Sequence, residues 1–176
     1  MLGFIYRTCK EFKNPQCLLT LYYLYVYSKL SFGSVIWNPY FSIYINRLES
    51  VQKKFLKMLS FKMNLSIDQA AKHYKLLPLA QKRVLSNLHY VFKILNNLIN
   101  SPFLLSCLNF RVPGRNLRGS DLLNIPYLRT NLGQSTPLIR MQSEFNSYCT
   151  DVNVFYIVLN QFKHQLKQLF LQRHFN

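Results

Sequence analysis

The side chains that could do chemistry in this chain are mostly cationic. Its 176 residues include 22 Lys and Arg against six Asp and Glu, which gives a formal net charge of +16. An imbalance of this size favours a polyanionic partner, either a nucleic acid or an anionic membrane surface. Charge alone does not choose between these two partners.

The carboxylates are too few and too scattered for metal-dependent catalysis. Polymerase and nuclease reactions need two or more carboxylates that converge on divalent metal ions. The six acids instead occur singly, as Glu11, Glu49, Asp68, Asp121, Glu144 and Asp151. Glu49 lies four residues before Lys53, a spacing that predicts an ion pair on a helix surface. We therefore expect no catalytic residue among the acids.

The cysteines, histidines and glycines also lack the spacing of a catalytic or cofactor site. No Cys-x-x-Cys pair occurs and no histidine lies beside a cysteine, so we expect reduced thiols and no metal. No nucleophile signature surrounds any Ser or Cys, and the five glycines do not form a phosphate-binding loop. The sequence predicts neither an independent enzyme nor a cofactor. The cysteines are Cys9, Cys17, Cys107 and Cys149.

Cationic rows on two predicted helices are the first candidates for binding. In residues 40–61 the cations fall opposite an apolar stripe, and in residues 79–99 they fall outside a second stripe. Such rows suit contacts to phosphate, which require no sequence readout. The alternative is a solvated face that keeps a hydrophobic bundle soluble. The candidate residues are Arg47, Lys53, Lys54, Lys57, Lys82 and Arg83.

A series of arginines without any lysine follows in residues 109–140. Breakers such as Pro113-Gly114 and Pro137 interrupt this stretch, which predicts a long loop or arm of low order without a partner. Arginine without lysine favours forked contacts or stacking on bases, although a structural role for some of them stays open. The candidate residues are Arg111, Arg115, Arg118, Arg129 and Arg140.

Aromatic residues cluster ahead of the first cationic row. They form either a stacking platform for single-stranded nucleic acid or part of the core and turn packing. These residues are Tyr22, Tyr23, Tyr25, Tyr27, Trp37, Tyr40 and Tyr44.

The elements that must position these residues are predicted to be helices. Asn14-Pro15 begins an almost wholly apolar helix that Gly33 ends, and other helices must cover such a helix. Ser66 and Gln69 have the spacing of a capping box. The predicted fold is mainly α, an irregular helical bundle with a long arginine-rich loop or arm. We expect a helical region over residues 1–100, the arm over 101–140, and a C-terminal helix region over 141–176 that packs on the first.

Short motifs run through the whole chain in order. They include Leu2-Gly3-Phe4-Ile5, Phe32-Gly33-Ser34-Val35-Ile36-Trp37-Asn38-Pro39-Tyr40, Arg47-Leu48-Glu49, Val51-Gln52-Lys53-Lys54-Phe55-Leu56, Arg115-Asn116-Leu117-Arg118, Arg129-Thr130-Asn131 and Ser135-Thr136-Pro137-Leu138. As an ordered series they resemble the region C-terminal to the palm in jockey-like non-LTR retrotransposon reverse transcriptases. The resemblance covers about the whole chain.

The resemblance implies reverse transcriptase ancestry without polymerase activity, because the family's active-site aspartates lie upstream of the matching region. It implies a truncated remnant of an RNA-directed DNA polymerase that retains at most nucleic-acid binding. The expected partner is the phosphate backbone of RNA and DNA, and an intact retroelement polymerase is a second partner that the resemblance allows.

Two other hypotheses stay open from the sequence. In a small membrane-associated protein, residues 17–37 would insert and the basic helix of residues 40–61 would lie on anionic headgroups. The apolar run of residues 17–27 is, however, shorter than the ~20 residues that span a bilayer. A pseudogene product without function is the other hypothesis. The first residues do not have the order of a signal peptide, so we expect an intracellular protein, in the nucleus or the cytoplasm.

Overall fold

The computed structural model describes residues 2–9, 11, 14–112, 121–149 and 154–175, and these are mainly α-helical, which confirms the predicted fold class. The chain divides into two compact units. The first unit comprises Met1–Ser34, Pro39–Arg83 and Phe170–Asn176, and the second comprises Val35–Asn38 and Val84–Leu169.

Helices make up most of the described residues. In chain order they are α1 (Leu2–Thr8), α2 (Pro15–Leu21), α3 (Ser28–Ser31), α4 (Ser34–Trp37), α5 (Ser42–Met63), α6 (Ile67–His73), α7 (Leu79–Leu95), α8 (Pro102–Ser106), α9 (Asn131–Gln134), α10 (Pro137–Tyr148) and α11 (Leu159–Phe175). A π-helical segment, Tyr22–Tyr27, joins α2 to α3. Within the described ranges, extended backbone pairs only at an isolated antiparallel bridge between Phe110 and Leu123.

The predicted helix boundaries are confirmed where local signals set them. The Asn14 side chain accepts a hydrogen bond from the Gln16 N–H at 2.9 Å, and Pro15 takes the first helical position of α2. Gly33 has a φ of 62°, a left-handed conformation that ends the run after α3. Ser66 and Gln69 form both hydrogen bonds of the predicted capping box of α6.

Only one face of the helical run from α2 to α3 is buried. Leu18, Tyr22 and Val26 lie in the core, whereas Leu24 is 60% exposed and Tyr25 is 49% exposed. The expectation that other helices cover this helix is therefore confirmed for one face and wrong for the face of Leu24 and Tyr25. The physical reason is that α2 packs on α5, which buries the stripe that faces α5 and leaves Leu24 and Tyr25 in contact with solvent.

The core of the first unit is built around an aromatic pair and a buried amide. The rings of Tyr22 and Phe55 are stacked with their centroids 4.0 Å apart, and both residues are 0% exposed. The Tyr22 hydroxyl lies 3.4 Å from Gln52 Oε1, and Gln52 Nε2 donates to the Leu77 carbonyl at 2.8 Å. Burial raises the pKa of Tyr22, so the hydroxyl stays protonated and can donate this bond. Gln52 thus joins α5 to two other segments, a role that sequence patterning did not predict.

Glu49 stabilises the N-terminus of α7. Its two carboxylate oxygens accept the backbone N–H groups of Leu79 at 3.2 Å and Ala80 at 2.6 Å. Such N–H groups have no partner within their own helix, and the positive end of the helix dipole favours an anion there. The predicted surface pair between Glu49 and Lys53 is wrong, since the described part of the chain has no ion pair between them.

Part of the predicted arginine arm is folded into the second unit. The Asn146 side chain accepts from the Leu123 N–H at 3.0 Å and donates to the Leu123 carbonyl at 2.8 Å. Gln142 on the same helix, α10, donates to the Cys107 carbonyl at 3.1 Å. The prediction of a long structureless stretch is wrong for α9 and the start of α10, because Pro137 is the first residue of a helix rather than a breaker. Residues 113–120 of the arm lie outside the described residues.

His89 in the second unit is held in its neutral form. Burial, together with the smaller repulsion from Lys163 and Lys93, lowers its pKa from 6.5 to about 4. Its ring lies 6.2 Å from that of Phe162, and Nε2 is buried without a hydrogen-bond partner among the described residues. A lowered histidine pKa stabilises the fold above pH ~6.5, and this contribution is lost as the pH falls from there toward 4.

We expect the free energy of unfolding of His89→Phe to fall less than that of the wild type as the pH is lowered. The wild-type protein should lose about 1 to 2 kcal/mol of its free energy of unfolding between pH 7 and pH 4.5 through His89. This figure allows for the solvent screening of a partly exposed ring. Urea unfolding of both proteins over this pH range measures the difference. His164→Phe, which changes an exposed histidine of α11, is the control and should keep the wild-type profile. An unchanged profile in His89→Phe would contradict the assignment.

Candidate nucleic-acid interface

Four cationic side chains lie exposed on one face of α5, and we call this surface the α5 face. They are Arg47, Lys53, Lys54 and Lys57. At 3.6 residues per turn they occupy about a third of the helix circumference and extend about 15 Å along the axis. The opposite side of α5 carries Phe55 and Leu59, which are fully buried. The predicted opposition of cations and apolar stripe is thus confirmed.

The α5 face carries no compensating carboxylate of its own helix. Glu49 is the only acid in α5, and its side chain caps α7. The Arg47 guanidinium lies 5.9 Å from the centre of the Tyr44 ring, a contact that restrains the side chain without neutralising it. In the described ranges the only salt bridge joins Arg111 and Asp121. The α5 face therefore presents net positive charge to solvent.

The second predicted row, Lys82 and Arg83 on α7, is not an exposed row. Lys82 Nζ lies 5.1 Å from the Tyr23 ring centre and 4.5 Å from that of Tyr27, in cation–π contact. Arg83 is only 3% exposed, and burial lowers the pKa of its guanidinium while Glu49 raises it. The expectation that both residues face solvent is wrong. The helical periodicity predicts solvent on this side of α7, but the tyrosines of the π-helical segment cover it.

The arginines of the arm divide into different roles. Arg140 Nη2 donates to the Val35 carbonyl at 2.6 Å and Nη1 to the Ser135 carbonyl at 3.3 Å, so this half-buried residue is structural. Arg111 lies 3.5 Å from Asp121, with both side chains about half exposed, which makes a weak pair. Arg129 is exposed and stays a candidate. Arg115 and Arg118 lie outside the described residues.

The aromatic cluster, for which the sequence left a stacking platform and core packing open, is divided between core and surface. Tyr22 belongs to the core and Tyr27 contacts Lys82, whereas Tyr25, Tyr40 and Tyr44 are about half exposed. A single stacking surface made of all these rings is therefore wrong, since one of them is fully buried.

Other chemistry finds little support in the described part of the chain. No group of three or more His, Cys, Asp or Glu residues there could hold a metal ion. The four cysteines are unpaired, and burial raises the pKa of Cys149 to about 12, which keeps its thiol protonated. Among the described helices none is both long and apolar enough to cross a membrane.

Comparison with known proteins leaves the function to be argued from the chain's own residues. No protein-family model, curated protein or solved structure matches it.

Proposed function

We propose that the chain binds the phosphate backbone of RNA or DNA through the α5 face. The observation that carries the proposal is the set of exposed cations on a single helix face whose only acid is engaged elsewhere. Cations held about a turn apart on a rigid helix can contact successive phosphates without reading the bases. Arg111 and Arg129 belong to the second unit and are separate candidates for phosphate contacts.

We also propose that the chain is a truncated remnant of a jockey-like retrotransposon RNA-directed DNA polymerase that lacks the catalytic palm. The support is the ordered series of motifs, two of which, Arg47-Leu48-Glu49 and Val51-Gln52-Lys53-Lys54-Phe55-Leu56, lie on α5. Three of the four cations of the α5 face belong to these two motifs. In this proposal the chain is a binding module and not an enzyme.

A salt series tests the binding proposal. The affinity of the purified chain for duplex DNA and for single-stranded RNA should fall steeply as salt is raised. If the four cations of the α5 face release counterions, the slope of log K against log salt is roughly −3 to −4. Fluorescence anisotropy with labelled oligonucleotides gives both affinity and slope. Binding that is absent at low salt, or that shows no salt dependence, would contradict the proposal.

Membrane association is the second candidate, favoured by the exposed Leu24 and Tyr25 and by the net charge of +16. Co-sedimentation with vesicles of phosphatidylserine and phosphatidylcholine separates the two functions. If the chain binds these vesicles at physiological salt and binds no oligonucleotide, the membrane function replaces nucleic-acid binding.

A further inference from the structure

An open groove lies between α1 and α5 in the first unit. Its volume is about 740 Å³, within the range of roughly 300 to 1,000 Å³ that is typical of small-molecule sites. Most of the lining is apolar, with Gly3 and Tyr6 on the α1 side and Met58 and Phe61 on the α5 side. Lys54 and Lys57 also line it. The groove thus combines an apolar surface with two of the cations of the α5 face.

Phe61 has an unusual position for an apolar side chain. It is 85% exposed, and it follows Lys57 by four residues and Lys54 by seven, so the three side chains share one stripe of α5. Tyr6, which is 50% exposed, supplies a second ring on the α1 side. Aromatic rings interleaved with cations are the combination that binds single-stranded nucleic acid, because bases stack on the rings while phosphates contact the cations.

We propose that this groove holds an unpaired base of a single-stranded nucleic acid, with the flanking phosphates on Lys54 and Lys57. The inference rests on the proposed function and deepens it by naming the strand state of the ligand. Charge complementarity favours this occupant, since an uncharged apolar ligand would give the two ammonium groups no anionic partner. The bases of a duplex have their faces stacked on one another, so a duplex can reach the cations but cannot fill the groove.

Gly3 offers a way to fill the groove without disturbing the core. A Cβ atom placed on Gly3 would meet no atom within 4 Å. Leucine is also a better helix former than glycine, so Gly3→Leu should not weaken α1. Phe61→Ala is the complementary variant, because it removes an exposed ring while the cations remain.

Three probes at one fixed salt concentration test the proposal: an oligothymidylate, an abasic strand of the same length, and a duplex. Gly3→Leu and Phe61→Ala should each weaken binding of the oligothymidylate about 5- to 150-fold, the range expected for loss of one stacked base. Affinities for the abasic strand and the duplex should stay within about twofold, because the phosphate contacts are unchanged. Tyr127→Ala, which removes a ring that is 83% exposed and does not line the groove, is the control and should change none of the three.

Two results would overturn the inference. One is unchanged oligothymidylate affinity in both groove variants while the wild-type chain binds all three probes. The other is loss of binding to phosphatidylserine vesicles in Gly3→Leu with unchanged oligonucleotide affinity, which would assign the groove to an acyl chain. Failure of the underlying function looks different, because the wild-type chain would then bind neither the duplex nor the abasic strand.

Discussion

The triple substitution Lys53→Glu, Lys54→Glu and Lys57→Glu should weaken binding to both RNA and duplex DNA by at least ~100-fold at low salt. It removes three phosphate contacts and replaces them with carboxylates that repel the backbone, so the slope of log K against log salt should also fall by about three. Fluorescence anisotropy over a salt series measures both quantities. Because all three side chains are exposed, the fold should survive the change.

A second triple variant separates the local effect from the loss of net charge. Lys72→Glu, Lys163→Glu and Lys167→Glu changes three exposed lysines outside α5 and alters the net charge equally. It should reduce affinity far less than the α5 variant does. Equal losses in the two proteins would mean that the positive charge acts as a diffuse field, and the α5 face would then have no special role.

Phe55→Ala should destabilise the protein by about 3 to 5 kcal/mol. The ring is fully buried and stacked on Tyr22, so truncation removes its burial, leaves a cavity, and abolishes the aromatic contact. This loss is a large fraction of the 5 to 15 kcal/mol that is typical of a whole domain. Urea unfolding followed by circular dichroism measures the free energy of unfolding and its midpoint.

The same substitution on the same helix provides the control. Phe61 is 85% exposed, so Phe61→Ala should change the free energy of unfolding by no more than about 0.5 kcal/mol. Similar losses in the free energy of unfolding at positions 55 and 61 would show that Phe55 is not on the buried face of α5. The pair of variants therefore reports which face of α5 is in the core, independently of any ligand.

Features with local causes were predictable from the sequence. Asn14-Pro15, Gly33 and the box of Ser66 and Gln69 act within one helical turn, so their effect is visible in neighbouring residues. The exposure of Lys53, Lys54 and Lys57 followed from the period of the apolar stripe on α5. These are the parts of the fold and of the candidate interface in which the nearest residues decide the outcome.

Features with distant partners were not predictable in the same way. Arg140 donates to the carbonyl of Val35, and nothing near either residue in the sequence indicates this contact. Glu49 has Lys53 one turn away and still accepts its hydrogen bonds from Leu79 and Ala80. Arg83 has the spacing of a surface cation, yet it is buried. In each case the tertiary fold supplies a hydrogen-bond partner or buries the side chain, and the periodicity of the sequence does not predict either.

The capping of α7 by Glu49 links the charge of one helix to the integrity of another. While the first turn of α7 is formed, the carboxylate is fixed on two N–H groups, and the charged side chains that α5 exposes to solvent are cationic. Fraying of that turn would release the Glu49 carboxylate, which lies one turn from Lys53. The free carboxylate would lower the net positive charge of the α5 face. The affinity of the α5 face for anions is therefore a sensitive reporter of local order at Leu79 and Ala80, and it should decline on heating before the core around Phe55 opens.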